Sequence, residues 1–251
     1  MNAKGELKPA GIAGWQLEFA RLVAFPIDPP LFLKQTWWHE LVGAEPDDFV
    51  SIRRKQSQEV RGSSQGSVLS LNVDLQRITW TVQAADAPDG AAAKLPTLGT
   101  YPEKVPLFAE QLGSWLASSC PPLRRLAFGG KLLRVVGSQQ EAYQFLSSFL
   151  PRIEFEPNPN DFVLQINRRR VSRSVQGLQL NRVSTWSKMN VAIVAEPGTP
   201  FQWPEECYSA LELDINTAPE RLEGLPPQSL VHLFQELTEL GGEIADRGDV
   251  P

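Results

Sequence analysis

The sequence predicts an α+β protein: pseudo-duplicated β-α-β-β-β-α units forming a curved antiparallel sheet with helices on one face. Three observations carry this. Residues 15–118 and 123–241 each read strand, helix, three strands, helix. Each half holds a basic cluster between its second and third strands. The joint Cys120-Pro121-Pro122 is short, which favours docked halves over a flexible tether. The domain reading is a flexible N-terminus (1–14), a first α+β half (15–120), a second half (121–242) and an acidic flexible tail (243–251).

The elements follow in order. Trp15, Leu17, Phe19, Val23 and Phe25 alternate, interrupted by Arg21, and Pro26 stops that strand. Asp28 and Pro29 suit a helix start, Leu31, Trp38, Leu41 and Val42 share a face, and Gly43 suits the stop. Phe49, Val50 and Ile52 begin a short strand that runs into Arg53, Arg54 and Lys55. The polar stretch from Gln56 to Ser67 reads as a loop. Leu69, Leu71, Val73 and Leu75, then Ile78, Trp80 and Val82, alternate with polar residues as half-buried strands do. Ala84 to Thr100 reads as a surface loop, and a helix follows from about Val105 to Ser118 on the stripe Phe108, Leu112, Trp115, Leu116.

In the second half, Leu126 to Val136 reads as a strand with a bulge at Gly129-Gly130. Ser138 and Glu141 form a capping box for a helix presenting Ala142, Phe145, Leu146 and Phe149. Phe162, Leu164 and Ile166 lead into Arg168-Arg169-Arg170. Leu178 and Leu180 begin the next strand, which Met189, Val191 and Ile193 continue or pair with. Leu211, Leu213 and Ile215 alternate with Glu212, Asp214 and Asn216. The last helix carries Leu230, Leu233, Phe234, Leu237 and Leu240, with Gly241-Gly242 as its end.

Composition excludes several classes. The 251 residues are 42% apolar and 21% charged, as in ordinary globular proteins. No run of eighteen apolar residues exists, and Met1 to Ala10 lacks the apolar core of a secretory signal, so a cytoplasmic protein without a membrane span is expected. Cys120 and Cys207, one per half, make no framework and read as reduced thiols. The net charge of −5 argues against a general nucleic-acid binder, yet it is uneven. From Glu205 to Pro251 eleven acids face two arginines, while 161–190 holds six basic residues against Asp161 alone.

Catalytic patterns are sparse. The chain has no HExxH, GxSxG, GxxxxGK[ST] or GxGxxG, so no cofactor is implied. His39 reads as a partly buried structural histidine. His232 reads as a solvated partner of Glu236 one turn on. Glu212, Asp214 and Asn216 share one strand face, which suits a metal or acid–base chemistry but more simply the polar side of a half-exposed strand. The best candidates are Arg53, Arg54, Lys55 and Arg61 in one loop, and Arg168, Arg169, Arg170 and Arg173 in its counterpart, with Arg182 on the next strand. Guanidinium forks suit phosphates and carboxylates. The clusters fit sheet-edge protection, docking of an acidic protein surface (this chain's own C-terminal segment included), or phosphate binding. Trp186 and Trp203 lie among polar or loop residues, where an exposed indole anchors interfaces.

Trp37-Trp38, Leu180-Asn181-Arg182-Val183 and Leu211-Glu212-Leu213-Asp214-Ile215-Asn216 before a terminal amphipathic helix resemble a sporadically distributed bacterial family of uncharacterised proteins. The resemblance covers about half the chain. It implies a non-enzymatic or unassigned role in a prokaryote, in accessory genes of mobile or defence loci. The sheet's open face is similar in shape to the binding saddle of the TATA-binding-protein-like fold, a likeness that transfers no function. The expected function is a binding or regulatory subunit acting through protein–protein contacts, with nucleic-acid binding by the paired arginine-rich loops as the alternative.

Overall fold

Nine strands occur among the described residues, most of them marked by period-two alternation. They are β1 (Gln16–Pro26), β2 (Asp48–Ile52), β3 (Ser57–Ser64), β4 (Ser67–Val73), β5 (Ile78–Ala84), β6 (Leu123–Val136), β7 (Val163–Val171), β8 (Gln179–Val191) and β9 (Glu206–Thr217). The helices are α1 (Thr36–Val42), α2 (Tyr101–Ser118), α3 (Gln139–Phe149) and α4 (Leu230–Arg247). The computed structural model describes residues 11–30, 36–52, 54, 56–64, 66–85, 95–153, 161–191, 206–220 and 223–249. Arg53, Lys55 and Trp203 lie outside the described residues.

The strands form one antiparallel sheet in the order β2-β3-β4-β5-β1-β6-β9-β8-β7. Its midline is the β1–β6 pair, whose register runs from Gln16 opposite Leu133 to Pro26 opposite Leu123. The fold is therefore α+β, with one sheet running through both halves. No helix among the described residues is long and apolar enough to cross a membrane.

One set of alternate strand residues joins the helices in the main core. Leu69 and Leu71, Ile78 and Trp80, Leu22 and Ala24, Leu126 and Phe128, Leu213 and Ile215, and Leu180 and Trp186 are all buried there. Two aromatic groups organise it. Trp80 stacks on Trp38 at 6.3 Å and meets Trp115 edge-on at 5.9 Å. Trp186 stacks on Phe149 at 5.7 Å, and Trp15 packs against Phe145, Phe149 and Trp186. Each such side chain, fully buried, stabilises the fold by roughly 1.5–3 kcal/mol before opposing entropy is counted.

Several sequence expectations are corrected. The stretch from Gln56 to Ser67 contains β3 rather than a loop, with Val60 turned into the core. The bulge lies on β1, between Leu17 and Phe19, and the register of β6 is unbroken at Gly129-Gly130. That extra residue changes the phase of β1. Leu17, Ala20, Leu22 and Ala24 enter the core, while Phe19, Val23 and Phe25 turn to the other face. Of the two readings of Met189 and Val191, the continuation holds: both lie on β8, and Ile193 is outside the described residues. Trp186 is 0% exposed, because its strand position faces α3. Its Nε1 donates to Ser184 Oγ at 3.0 Å.

The largest correction concerns α4. The helix does not end at Gly241-Gly242 but runs on to Arg247. Gly241 serves close packing instead: a Cβ there would stand 2.7 Å from Tyr101 Oη and 3.0 Å from Phe128 Cε1. The Tyr101 hydroxyl in turn donates to the Thr238 carbonyl at 2.6 Å. Gly113 in α2 is different, since a Cβ would meet only Val231 Cγ1 at 3.6 Å. Gly113→Ala is therefore expected to gain about 0.5–1 kcal/mol from helix propensity. Gly241→Ala is expected to lose about 1–3 kcal/mol by overpacking, both read by urea denaturation.

Candidate binding face

The second set of alternate strand residues points away from the main core. Two rows cross the sheet in register. One runs Arg61, Ser70, Thr81, Arg21, Gly129, Asp214, Val183, Asn167. The other runs Glu59, Asn72, Thr79, Val23, Ala127, Asn216, Asn181, Arg169. At the midline this face sinks into a hollow of about 410 Å³, lined by Arg21, Val23 and Phe25 of β1, Arg125, Ala127 and Gly129 of β6, Asn72, Arg77 and Thr79, and Asp214 and Asn216 of β9.

Three arginines distant in sequence converge here. The Arg21 side chain lies flat across β6, made possible by Gly129, where a Cβ would come within 2.5 Å of Arg21 Nε. Its guanidinium sits 5.5 Å from the centre of the Phe19 ring, remains 38% exposed and approaches Glu212 only to 3.9 Å. Arg125 lies 5.0 Å from the centre of the Phe25 ring. It donates through Nε to the Thr217 carbonyl at 3.1 Å and through Nη2 to Asn216 Oδ1 at 3.2 Å. Arg77 is held by Asp74 at 3.0 Å in the β4–β5 turn and is 57% exposed. Arg21 and Arg77 thus present guanidinium to solvent, while Arg125 anchors a ladder of amides. In that ladder Asn181 Nδ2 donates to Asn216 Oδ1 at 3.0 Å, and Arg169 Nε donates to Asn181 Oδ1 at 3.1 Å. Asn216 Nδ2 donates to Asp214 Oδ1 at 2.9 Å.

The sequence-predicted arginines divide. Arg54 is exposed in the β2–β3 turn. Arg61 lies on β3, not in a loop, and donates to Glu59 at 2.5 Å. Arg168, Arg169 and Arg170 lie within β7, not in a loop, and find acids of this chain. Arg168 pairs with Asp249 at 2.6 Å, Arg169 with Glu220 at 2.5 Å and Arg170 with Glu243 at 2.9 Å. Arg173 donates to Glu239 at 2.7 Å, and this bond first, with the Glu239 charge, raises its pKa. Arg182 is 1% exposed, beneath α4, with Nη2 3.2 Å from Glu243. Burial first, then the neighbouring Arg170, pushes its pKa down, and its Nε and Nη1 have no hydrogen-bond partner.

Glu236 closes the same network. It does not pair with His232 in solvent, because its carboxylate turns into the 172–175 turn and is only 4% exposed. It accepts from the Ser172 hydroxyl and the Arg173 N–H, both at 2.7 Å, and from the Ser174 N–H at 3.1 Å. Burial raises its pKa, but these bonds outweigh burial and the net shift is downward.

The other candidates do not converge. His39 is exposed rather than partly buried, bonds Glu45 at 2.8 Å, and does not line the hollow that holds Asp214. Burial pushes the Cys120 thiol far up, away from thiolate chemistry. No group of three or more metal-ligating residues occurs among the described residues. Sequence reading missed Arg21, Arg77 and Arg125 as a set; the one signal was Arg21 breaking an apolar alternation. Comparison with family models, curated proteins and solved structures finds no match to the chain.

Two measurements probe the network beneath α4. Glu243→Ala leaves Arg182 buried without its counter-ion and is expected to cost about 3–5 kcal/mol, whereas Arg182→Met, which removes the charge and keeps the volume, is expected to be neutral or stabilising. Glu236→Gln is expected to cost about 1–3 kcal/mol at pH 7. Because the folded pKa of Glu236 is depressed, its contribution is present above the ordinary carboxylate range near about 4.3 and lost as pH falls through the folded value. The stability curves of Glu236→Gln and the native chain should therefore converge on acidification.

Proposed function

We propose that the protein is a binding subunit that works through protein–protein contacts, with the hollowed face of the sheet receiving an acidic segment of its partner. The observation that carries this reading is the convergence of Arg21, Arg77 and Arg125 at the junction of β1 and β6. Guanidinium groups backed by aromatic rings and flanked by amides suit carboxylates presented on a peptide backbone. Arg61, exposed one strand further out, extends the basic row.

The architecture that supports this reading is a duplication. The orders β1-β5-β4-β3 and β6-β9-β8-β7 run outward from the midline in the same sense, with β2 as an addition to the first copy. In this reading all four helices share the core side of a curved sheet. The opposite face is then open at the hollow, where the two copies meet, and is covered only at one end, where Leu95 packs against Leu133, Tyr208 and Ala210.

Nucleic acid is the weaker reading. Asp214 lines the hollow, and Glu212 and Asp74 stand beside Arg21 and Arg77. A phosphate backbone would meet these acids along with the arginines, whereas a peptide of mixed charge matches both.

The double variant Arg21→Glu/Arg77→Glu tests the proposal. It is expected to lose the partners that co-purify with the native chain from its host, at unchanged thermal stability, while Glu110→Arg on α2 keeps them. Equal recovery of partners by both variants contradicts it, and so does a salt-sensitive gel shift of DNA or RNA abolished by the same pair of substitutions.

A further inference from the structure

The sheet has two edges, and the chain treats them differently. β7 carries three consecutive arginines held by acids of the same chain. β2, at the other edge, has all five residues exposed, with Phe49 at 52%, Val50 at 51% and Ile52 at 43%. It pairs with β3 on one side, and no described strand pairs with its other side. The run Phe49-Val50-Ser51-Ile52 contains no proline, lysine or glycine, and its register with β3 has no bulge. Proline, lysine and bulges ordinarily blunt an edge, and β2 has only its shortness and Asp48 in their place. An apolar edge strand without proline, lysine or a bulge is a template for another strand.

We infer that the occupant is β2 of a second copy, paired antiparallel about a twofold axis at Ser51, so that two nine-stranded sheets continue into one. The sequence of the edge is self-complementary in that register. A twofold perpendicular to the sheet keeps each residue on its own face, so facing residues must be an even number of positions apart. Centring on Ser51 sets Val50 against Ile52 of the second copy, and Ile52 against its Val50. The same register brings Asp48 of each copy alongside the turn that holds Arg54 of the other. Both residues are exposed. Each dimer thus gains two opposite-charge pairs at the ends of an apolar centre, and opposite charges facing across strands stabilise while like charges destabilise. A second copy on β7 would instead place the apolar edge against arginines already neutralised, and its head-to-tail geometry would not close.

A five-residue edge is small against the ~1,200–2,000 Å² of stable interfaces, so the dimer is weak and concentration-dependent. Sedimentation velocity over a range from about 1 μM to 1 mM tests it. The native chain is expected to pass from monomer to dimer and stop there. Asp48→Arg alone is expected to weaken association by roughly tenfold or more, since two attractive contacts become repulsive. Asp48→Arg/Arg54→Asp is expected to restore it, and Val50→Lys/Ile52→Lys to abolish it. Circular dichroism of each variant confirms that β2 lies outside the core and that folding is retained. A monomer throughout the range overturns the inference. Growth beyond the dimer does so too, as does a single Asp48→Arg variant that dimerises as the native chain does.

Discussion

The pairing of β1 with β6 is the constraint on which the rest of the structure depends. It is the only hydrogen-bonded seam between strands of the two halves among the described residues. Because the seam is antiparallel and in register over most of its length, the core residues of both strands fall on the same side. Leu22 faces Phe128 and Ala24 faces Leu126, and α2 and α4 pack together near them. The same alternation puts Arg21, Phe25 and Arg125 together on the other side. The hollow is thus a consequence of the seam: neither half alone holds its arginines. The bulge at Glu18 sets which residues of β1 take part, since without it Phe19, Val23 and Phe25 would enter the core and Leu22 would leave it.

A second constraint fixes the far end of the sheet. α4 lies over β6, β8 and β9, and its acids reach the arginines of β7 and the turn after it. The uneven charge of the sequence, acidic at the C-terminus and basic over 161–190, resolves largely into ion pairs within the chain on both faces of the sheet. Arg170 and Arg173 bind acids of α4 and Arg168 binds Asp249 just beyond it, while Arg169, on the open face, pairs with Glu220. On the open face Arg61, Arg77 and Arg169 are each about half exposed and paired with one acid, while Arg21 meets its acid only at 3.9 Å.

Strands that bury one face were legible in the sequence. Leu69-Leu71-Val73, Ile78-Trp80-Val82 and Leu211-Leu213-Ile215 alternate because one side meets helices and the other meets water. β3 was not, because its inward positions are Val60 and Gly62. Gly62 lies beneath Trp38, where a Cβ would be 2.7 Å from Cζ2, so a packing contact looked like loop composition. Gly241 misled in the same manner, since close approach to Tyr101 and helix termination both call for glycine. The candidate site was less legible still. Arg168 to Arg170 cluster in sequence and are neutralised in space, while Arg21, Arg77 and Arg125 are separated by some fifty residues each and meet only through the strand order. Asn181 and Asn216 belonged to recognisable segments, yet their shared hydrogen bond required the β8–β9 register.

Native-state hydrogen exchange across the β1–β6 seam tests the central claim most directly, because local opening energies reveal whether the halves are one cooperative unit. The amides of β1 and β6 should exchange only with global unfolding, at the same free energy as the core amides of β5 and β9. Seam amides that exchange through a partial opening, while β5 and β9 stay protected, would contradict the account.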